Sequence, residues 1–125
     1  MMSLLKSNIG IIGNGFVGNA LNSGFSQDFN TYVYDCDTDR CKNNIHDVVA
    51  NCHVVFMCLP TPCSDDNSID LSYIETAFKD ICSLTPYNNI FVIKSTVIPG
   101  TCDMLASKYD VNIVSNPEFL TERIA

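Results

Sequence analysis

The run Ile9-Gly10-Ile11-Ile12-Gly13-Asn14-Gly15-Phe16-Val17-Gly18 constrains the fold more than any other part of the chain. A short apolar stretch enters a Gly13-x-Gly15-x-x-Gly18 turn, and a helical pattern follows. Each glycine has its own reason to be there. Gly13 permits the tight turn, Gly15 lets backbone N–H groups approach an anion with no Cβ in the way, and Gly18 lets the helix pack close to its strand. The helix start adds unpaired N–H donors and the positive end of a dipole. Strand, glycine turn and helix in that order predict a cradle for a dinucleotide pyrophosphate.

Glycines cluster in many turns, so the next segment decides. Thr31-Tyr32-Val33-Tyr34-Asp35 reads as a second strand ending in a carboxylate, close to where an acidic side chain would accept hydrogen bonds from a ribose diol. A carboxylate there repels a 2′-phosphate, so NAD is expected over NADP. The plainer role for an Asp at a strand end is a turn or a helix cap; following this glycine pattern, the ribose role takes precedence.

Nearly half of the 125 residues are hydrophobic and 17% are charged, which is globular rather than disordered composition and enough for one core. A single domain over 1–125 is expected. The net charge of −7 argues against nucleic acid or an anionic membrane as a partner, so an anionic ligand would rely on local backbone donors. The seven cysteines are scattered without a Cys-x-x-Cys pair and read as reduced thiols, not as a disulfide framework or a metal site. With no basic leader and no run of membrane-spanning length, a cytoplasmic location is the expectation.

Apolar runs alternate with helical patterns from end to end, which predicts an α/β fold: a Rossmann-type, doubly wound parallel sheet of about five strands in a three-layer αβα arrangement. Strands are expected near 7–12, 31–35, 53–59, 90–95 and 111–115. Helices are expected near 16–27, 46–51, 70–84 and 100–108, with a short turn around 38–43. In the third helix, apolar residues at 71, 74, 77, 78 and 81 share one face and Asp70 is a candidate N-cap. The near-continuous apolar runs Val54 to Leu59 and Ile90 to Ile93 predict strands covered by helices on both faces.

Three strand ends then carry hydroxyls, an amide or a carboxylate stiffened by proline: Leu59-Pro60-Thr61-Pro62, Lys94-Ser95-Thr96-Val97-Ile98-Pro99-Gly100-Thr101 and Ser115-Asn116-Pro117-Glu118-Phe119-Leu120-Thr121-Glu122. Taken singly, Thr61 and Thr96 are expected to satisfy loop backbone groups and Glu118 to be a solvated acid. Taken together with the glycine loop, with Asp35 followed by Arg40, and with Asp70-Leu71-Ser72-Tyr73, they resemble the UDP-glucose/GDP-mannose dehydrogenase family from about Asn8 to Glu122.

That resemblance implies the NAD-binding domain of an enzyme that oxidises the C6 alcohol of a nucleotide sugar to a carboxylate, UDP-glucose to UDP-glucuronate first among the candidates, with a place in polysaccharide biosynthesis. It implies NAD contacts at Gly13, Asn14, Gly15, Phe16, Val17, Gly18, Asp35, Arg40, Leu59, Pro60, Thr61, Ser95 and Thr96. Thr96 and Glu118 would take part in the chemistry, Glu118 in the handling of water and protons during thioester hydrolysis. Glu118, Phe119, Leu120, Thr121 and Glu122 would open the sugar-nucleotide contact segment. Two departures stand out: Asn19-Ala20 where Leu-Pro is frequent, and Arg123 where Gly commonly follows the last Glu.

The family's nucleophilic cysteine, catalytic lysine and neighbouring aspartate, its central helix and its C-terminal substrate domain are expected beyond Ala125. The chain is accordingly expected to be a truncated or split portion, inactive alone, and to act with a C-terminal half or by self-association. Cys58 and Cys63 flank the crevice loop but read as inert thiols. The alternatives are a non-catalytic dinucleotide-binding module working with a partner chain and, less favoured by the Pro60-Thr61-Pro62 and Asn116-Pro117-Glu118 blocks, a fragment resembling hydroxy-acid or 6-phosphogluconate dehydrogenases.

Overall fold

A computed structural model of the chain describes residues 7–63, 65, 66, 68–83 and 88–117. Five strands, β1 (Asn8–Ile12), β2 (Asn30–Tyr34), β3 (Val54–Met57), β4 (Ile90–Ile93) and β5 (Asn112–Ser115), alternate with four helices, α1 (Phe16–Phe25), α2 (Ile45–Asn51), α3 (Ser72–Cys82) and α4 (Thr101–Tyr109). All strand pairs are parallel, in the order β2-β1-β3-β4-β5. The chain moves one way from β1 to β2 and the opposite way thereafter. The reversal between β1 and β3 is the topological switch point, where ligands of open α/β sheets bind beyond the carboxyl ends of the strands.

Every predicted strand and helix is present; β3 stops two residues short of its apolar run at Leu59, while β4 coincides with its run Ile90 to Ile93. The third helix begins at Ser72, with Leu71 as its N-cap. Asp70 stands one residue further out than a cap, although its carboxylate still accepts the Ser72 N–H at 2.8 Å. A turned Asp can serve the first helical amides from either position, which is why the pattern missed by one residue.

Alternation along β3 sends Val55 and Met57 to one face and Phe56 to the other. The first face holds the main core, in which Val55, Met57, Phe91 and Ile93 pack against Val48 and Val49 of α2, Ile74, Phe78 and Ile81 of α3, and Leu105 of α4. Phe78 meets Phe91 edge to face at 5.3 Å and stacks on Tyr109 at 5.5 Å. On the other face Phe25 of α1 lies 5.4 Å from Phe56. The αβα layers are therefore uneven: among the described residues α1 is the one helix on its side, and it lies over β1 and β2. Right-handed crossovers impose this, because the single step in the opposite direction places a single helix on the opposite face.

The two sheet edges also differ. On β2 the Val33 carbonyl accepts the N–H groups of Lys42 and Asn43, and the Val33 N–H donates to Asn43 Oδ1 at 2.8 Å, so the turn near 38–43 closes that edge. On β5 Asn112, Val114 and Ser115 are exposed, Val114 at 50%.

Candidate functional site: a cleft at the switch point

The glycine loop is fixed by close backbone approaches. Gly13 has φ +98°, and a Cβ there would lie 2.6 Å from the Cys58 carbonyl oxygen. A Cβ at Gly18 would lie 1.8 Å from the Gly13 carbonyl oxygen. Both residues must be glycine for the loop and α1 to close on the sheet. Gly15 is different, because a Cβ built on it meets nothing within 4 Å. Internal packing does not demand glycine at that position. The open space lies beside the first turn of α1, whose opening N–H groups have no intrahelical acceptor and no side-chain cap from Gly15.

Three hydrogen bonds tie this loop to the end of β2 and the turn that follows it, the first from the Gly13 N–H to the Tyr34 carbonyl at 2.8 Å. The Asn14 N–H donates to Asp35 Oδ2 at 2.7 Å, and Asn14 Nδ2 donates to the Arg40 carbonyl at 2.9 Å. Asp35 Oδ1 accepts the Asp37 N–H at 2.8 Å. The Asp35 carboxylate is thus aimed by two backbone amides while each oxygen retains a lone pair for another donor. Arg40 follows in the same turn, its Nε 3.7 Å from Asp37 Oδ2.

The strand-end loops meet on the other side. The Ser95 hydroxyl donates to the Leu59 carbonyl, and the Thr61 hydroxyl donates to the Thr96 carbonyl at 3.0 Å. Both hydroxyls tie the β3 and β4 loops together, in line with the structural role expected for Thr61 taken singly. Thr96 lends its carbonyl to that tie and is otherwise exposed.

A cleft of about 570 Å³ joins these parts. Its lining includes Gly13, Gly15, Phe16, Val17, Asp35, Arg40, Leu59, Pro60, Thr61, Ser95 and Thr96. Asn14 and Gly18 hold the loop from beneath rather than line the cleft. Glu118, Phe119, Leu120, Thr121 and Glu122 lie outside the described residues.

Further lining residues were not singled out from the sequence: Cys36, Asp37, Tyr73 and Lys94. Lys94 is buried to 9% exposure and makes no ion pair among the described residues. The signal for it was a charge placed directly after an all-apolar buried strand. Cys58 also lines the cleft, and burial pushes its thiol up to about 12 despite the nearby Lys94 ammonium. It is a neutral thiol at ordinary pH. No group of His, Cys, Asp and Glu among the described residues could hold a metal ion, and no described helix is long and apolar enough to cross a membrane.

The vacant Cβ direction of Gly15 beside a helix N-terminus fits a pyrophosphate, and the aimed carboxylate of Asp35 fits a ribose diol. Fold and cleft together define a Rossmann-type dinucleotide-binding domain. Comparison with known proteins narrows the class. The chain belongs to the UDP-glucose/GDP-mannose dehydrogenase family, whose NAD binding domain matches residues 40–125.

Among curated relatives, a UDP-glucose 6-dehydrogenase of Rickettsia typhi is 34% identical over 93 residues, covering 69% of this chain and 21% of that protein. A putative UDP-glucose 6-dehydrogenase of Bacillus subtilis is 33% identical over 98 residues, 72% of this chain and 23% of that protein. The chain thus spans less than a quarter of the length of these two relatives. A UDP-glucose dehydrogenase structure from Pyrobaculum islandicum superposes with a TM-score of 0.76 at 24% identity, over 94% of this chain and 37% of that one, and shares the fold.

Proposed function

We propose that this chain is the NAD-holding portion of a nucleotide-sugar dehydrogenase that oxidises the C6 alcohol of a UDP-sugar, with UDP-glucose the favoured substrate. The observation that carries the cofactor half is the open Cβ direction of Gly15 within a cleft that also contains Asp35. The pyrophosphate would rest on the α1 N-terminus beside Gly15, Phe16 and Val17. Asp35 would accept the adenosine ribose hydroxyls, with Arg40 beside it. Leu59, Pro60, Thr61, Ser95 and Thr96 would line the nicotinamide end, where bound NAD supplies a hydride acceptor. The substrate half rests on kinship with the UDP-glucose 6-dehydrogenases, and on that kinship Glu118 to Glu122, which follow β5 in the sequence, would begin the sugar-nucleotide contacts.

The state of the Cys58 thiol favours dependence on further protein. Covalent capture of an aldehyde needs a thiolate, and Cys58, a half-buried thiol of the cleft, is held neutral by its desolvated surroundings. That same observation supports the second reading, a dinucleotide-binding module without catalysis of its own. Calorimetric titration with NAD and NADP, followed by incubation with NAD and UDP-glucose, tests the proposal. Binding of NAD in preference to NADP and no NADH from the chain by itself are expected; equal binding of the two cofactors would refute the role of Asp35. Production of NADH from UDP-glucose after addition of a family C-terminal half would separate the dehydrogenase portion from the non-catalytic module.

A further inference from the structure

We propose that Asp37 is a second determinant of cofactor choice, acting on Arg40 as a positioning residue; this rests on the dinucleotide reading of the cleft. Asp35, Asp37 and Arg40 line the same end of the cleft. An arginine at this end of the fold is the side chain able to accommodate a ribose 2′-phosphate. Asp35 alone would therefore oppose a cation that favours NADP. Here that cation is engaged: Arg40 Nε lies 3.7 Å from Asp37 Oδ2, with both side chains half exposed. The pair does little for stability in such a setting, which leaves its electrostatic effect on the cleft as its consequence.

The turn around the pair keeps it in place. Asp37 Oδ1 accepts the Asp39 N–H at 3.0 Å, the Arg40 N–H donates to the Asp37 carbonyl at 3.0 Å, and Asn14 Nδ2 holds the Arg40 carbonyl. One oxygen of Asp37 builds the turn and the other faces the guanidinium. A 2′-phosphate entering here would meet two carboxylates and an arginine already engaged. NAD, which presents a neutral diol, would meet no such opposition.

Asp37→Asn separates the two oxygens' roles, because the amide oxygen can still accept the Asp39 N–H while the charge facing Arg40 is lost. The quantity to measure is the ratio of NADP to NAD affinity of the full chain, by calorimetry at low salt. The ratio is expected to rise about fivefold to tenfold in Asp37→Asn, as removal of one nearby surface charge and release of another imply, and the gain should shrink at high ionic strength. Arg40→Met added to Asp37→Asn should remove the part of the gain that comes from the released guanidinium and leave only the smaller part due to the lost Asp37 charge. An unchanged ratio in Asp37→Asn, with NAD still bound, would overturn the inference alone, as would a gain that Arg40→Met leaves undiminished. Failure of the unaltered chain to bind NAD would overturn the dinucleotide reading and this inference with it. Asp37→Ser, which also keeps an oxygen for the Asp39 amide, replaces the Asn variant if that variant does not fold cooperatively.

Discussion

The β1–β2 half of the sheet and the β4–β5 half are held by different forces. Around β1 and β2 the structure depends on backbone approaches and hydrogen bonds: Gly18 against the Gly13 carbonyl, Asn14 to Asp35, and Asn43 to the edge of β2. Around β4 and β5 it depends on apolar side chains packed on one face, with Phe78 between Phe91 and Tyr109. A ligand loop needs atoms fixed to within a fraction of an ångström, and short backbone contacts provide that. Packing supplies more free energy with less geometric definition.

The largest expected effect on stability lies in the packed half. Phe78 is fully buried, and Phe78→Ala should lower unfolding free energy by about 3–5 kcal/mol in urea denaturation. Gly18→Ala should cost about 3 kcal/mol through a backbone clash alone, although it adds apolar volume. A smaller loss there would mean that the loop can shift and that its close contacts are not what fix it. Asn43→Ala should cost about 1–2 kcal/mol, since the Val33 N–H would lose its acceptor; at the open edge, Val114→Thr should stay within about 0.5 kcal/mol.

The smallest effect is pH-dependent and belongs to the packed half. Glu75 of α3 accepts Lys108 Nζ at 2.6 Å and the Tyr109 hydroxyl at 2.7 Å, both on α4, and these bonds lower its pKa from the ordinary 4.5. A lowered acid contributes stability that is complete above its ordinary value and is lost as pH falls through the lowered one. Denaturation midpoints should therefore decline on acidification below about pH 4.5. Glu75→Gln should flatten that decline; an unaltered acid profile would show that the clasp contributes nothing.

Features of the β1–β2 half were the more legible in the sequence. Glycine spacing encodes backbone geometry directly, so Gly13, Gly15 and Gly18 could be assigned separate tasks, and Asp35 follows from strand length. The continuous apolar runs of β3 and β4 marked buried strands but could not say which helix covers which face. That depends on crossover direction, which is why helices on both faces are expected of β4 while among the described residues its helices lie on one face. The ties from Ser95 to Leu59 and from Thr61 to Thr96 join loops distant in sequence, and no local pattern announces them. Lys94 heads a strand-end block that the sequence marks, but its burial in the cleft, like the place of Asp37 there, follows only from where the strands bring it.

On the dinucleotide reading, one glycine of the loop is there for a ligand and the other two are there for the fold. Gly15→Val tests it most directly when unfolding free energy and NAD affinity are measured on the same sample. With no atom within 4 Å of the added Cβ, the chain should stay folded, losing only about 1 kcal/mol for the exchange of a glycine N-cap, while NAD binding is lost. Retention of NAD affinity in a folded Gly15→Val chain would show that Gly15 does not keep space for a pyrophosphate, and a loss of stability comparable to that of Gly18→Ala would show that the fold itself requires it.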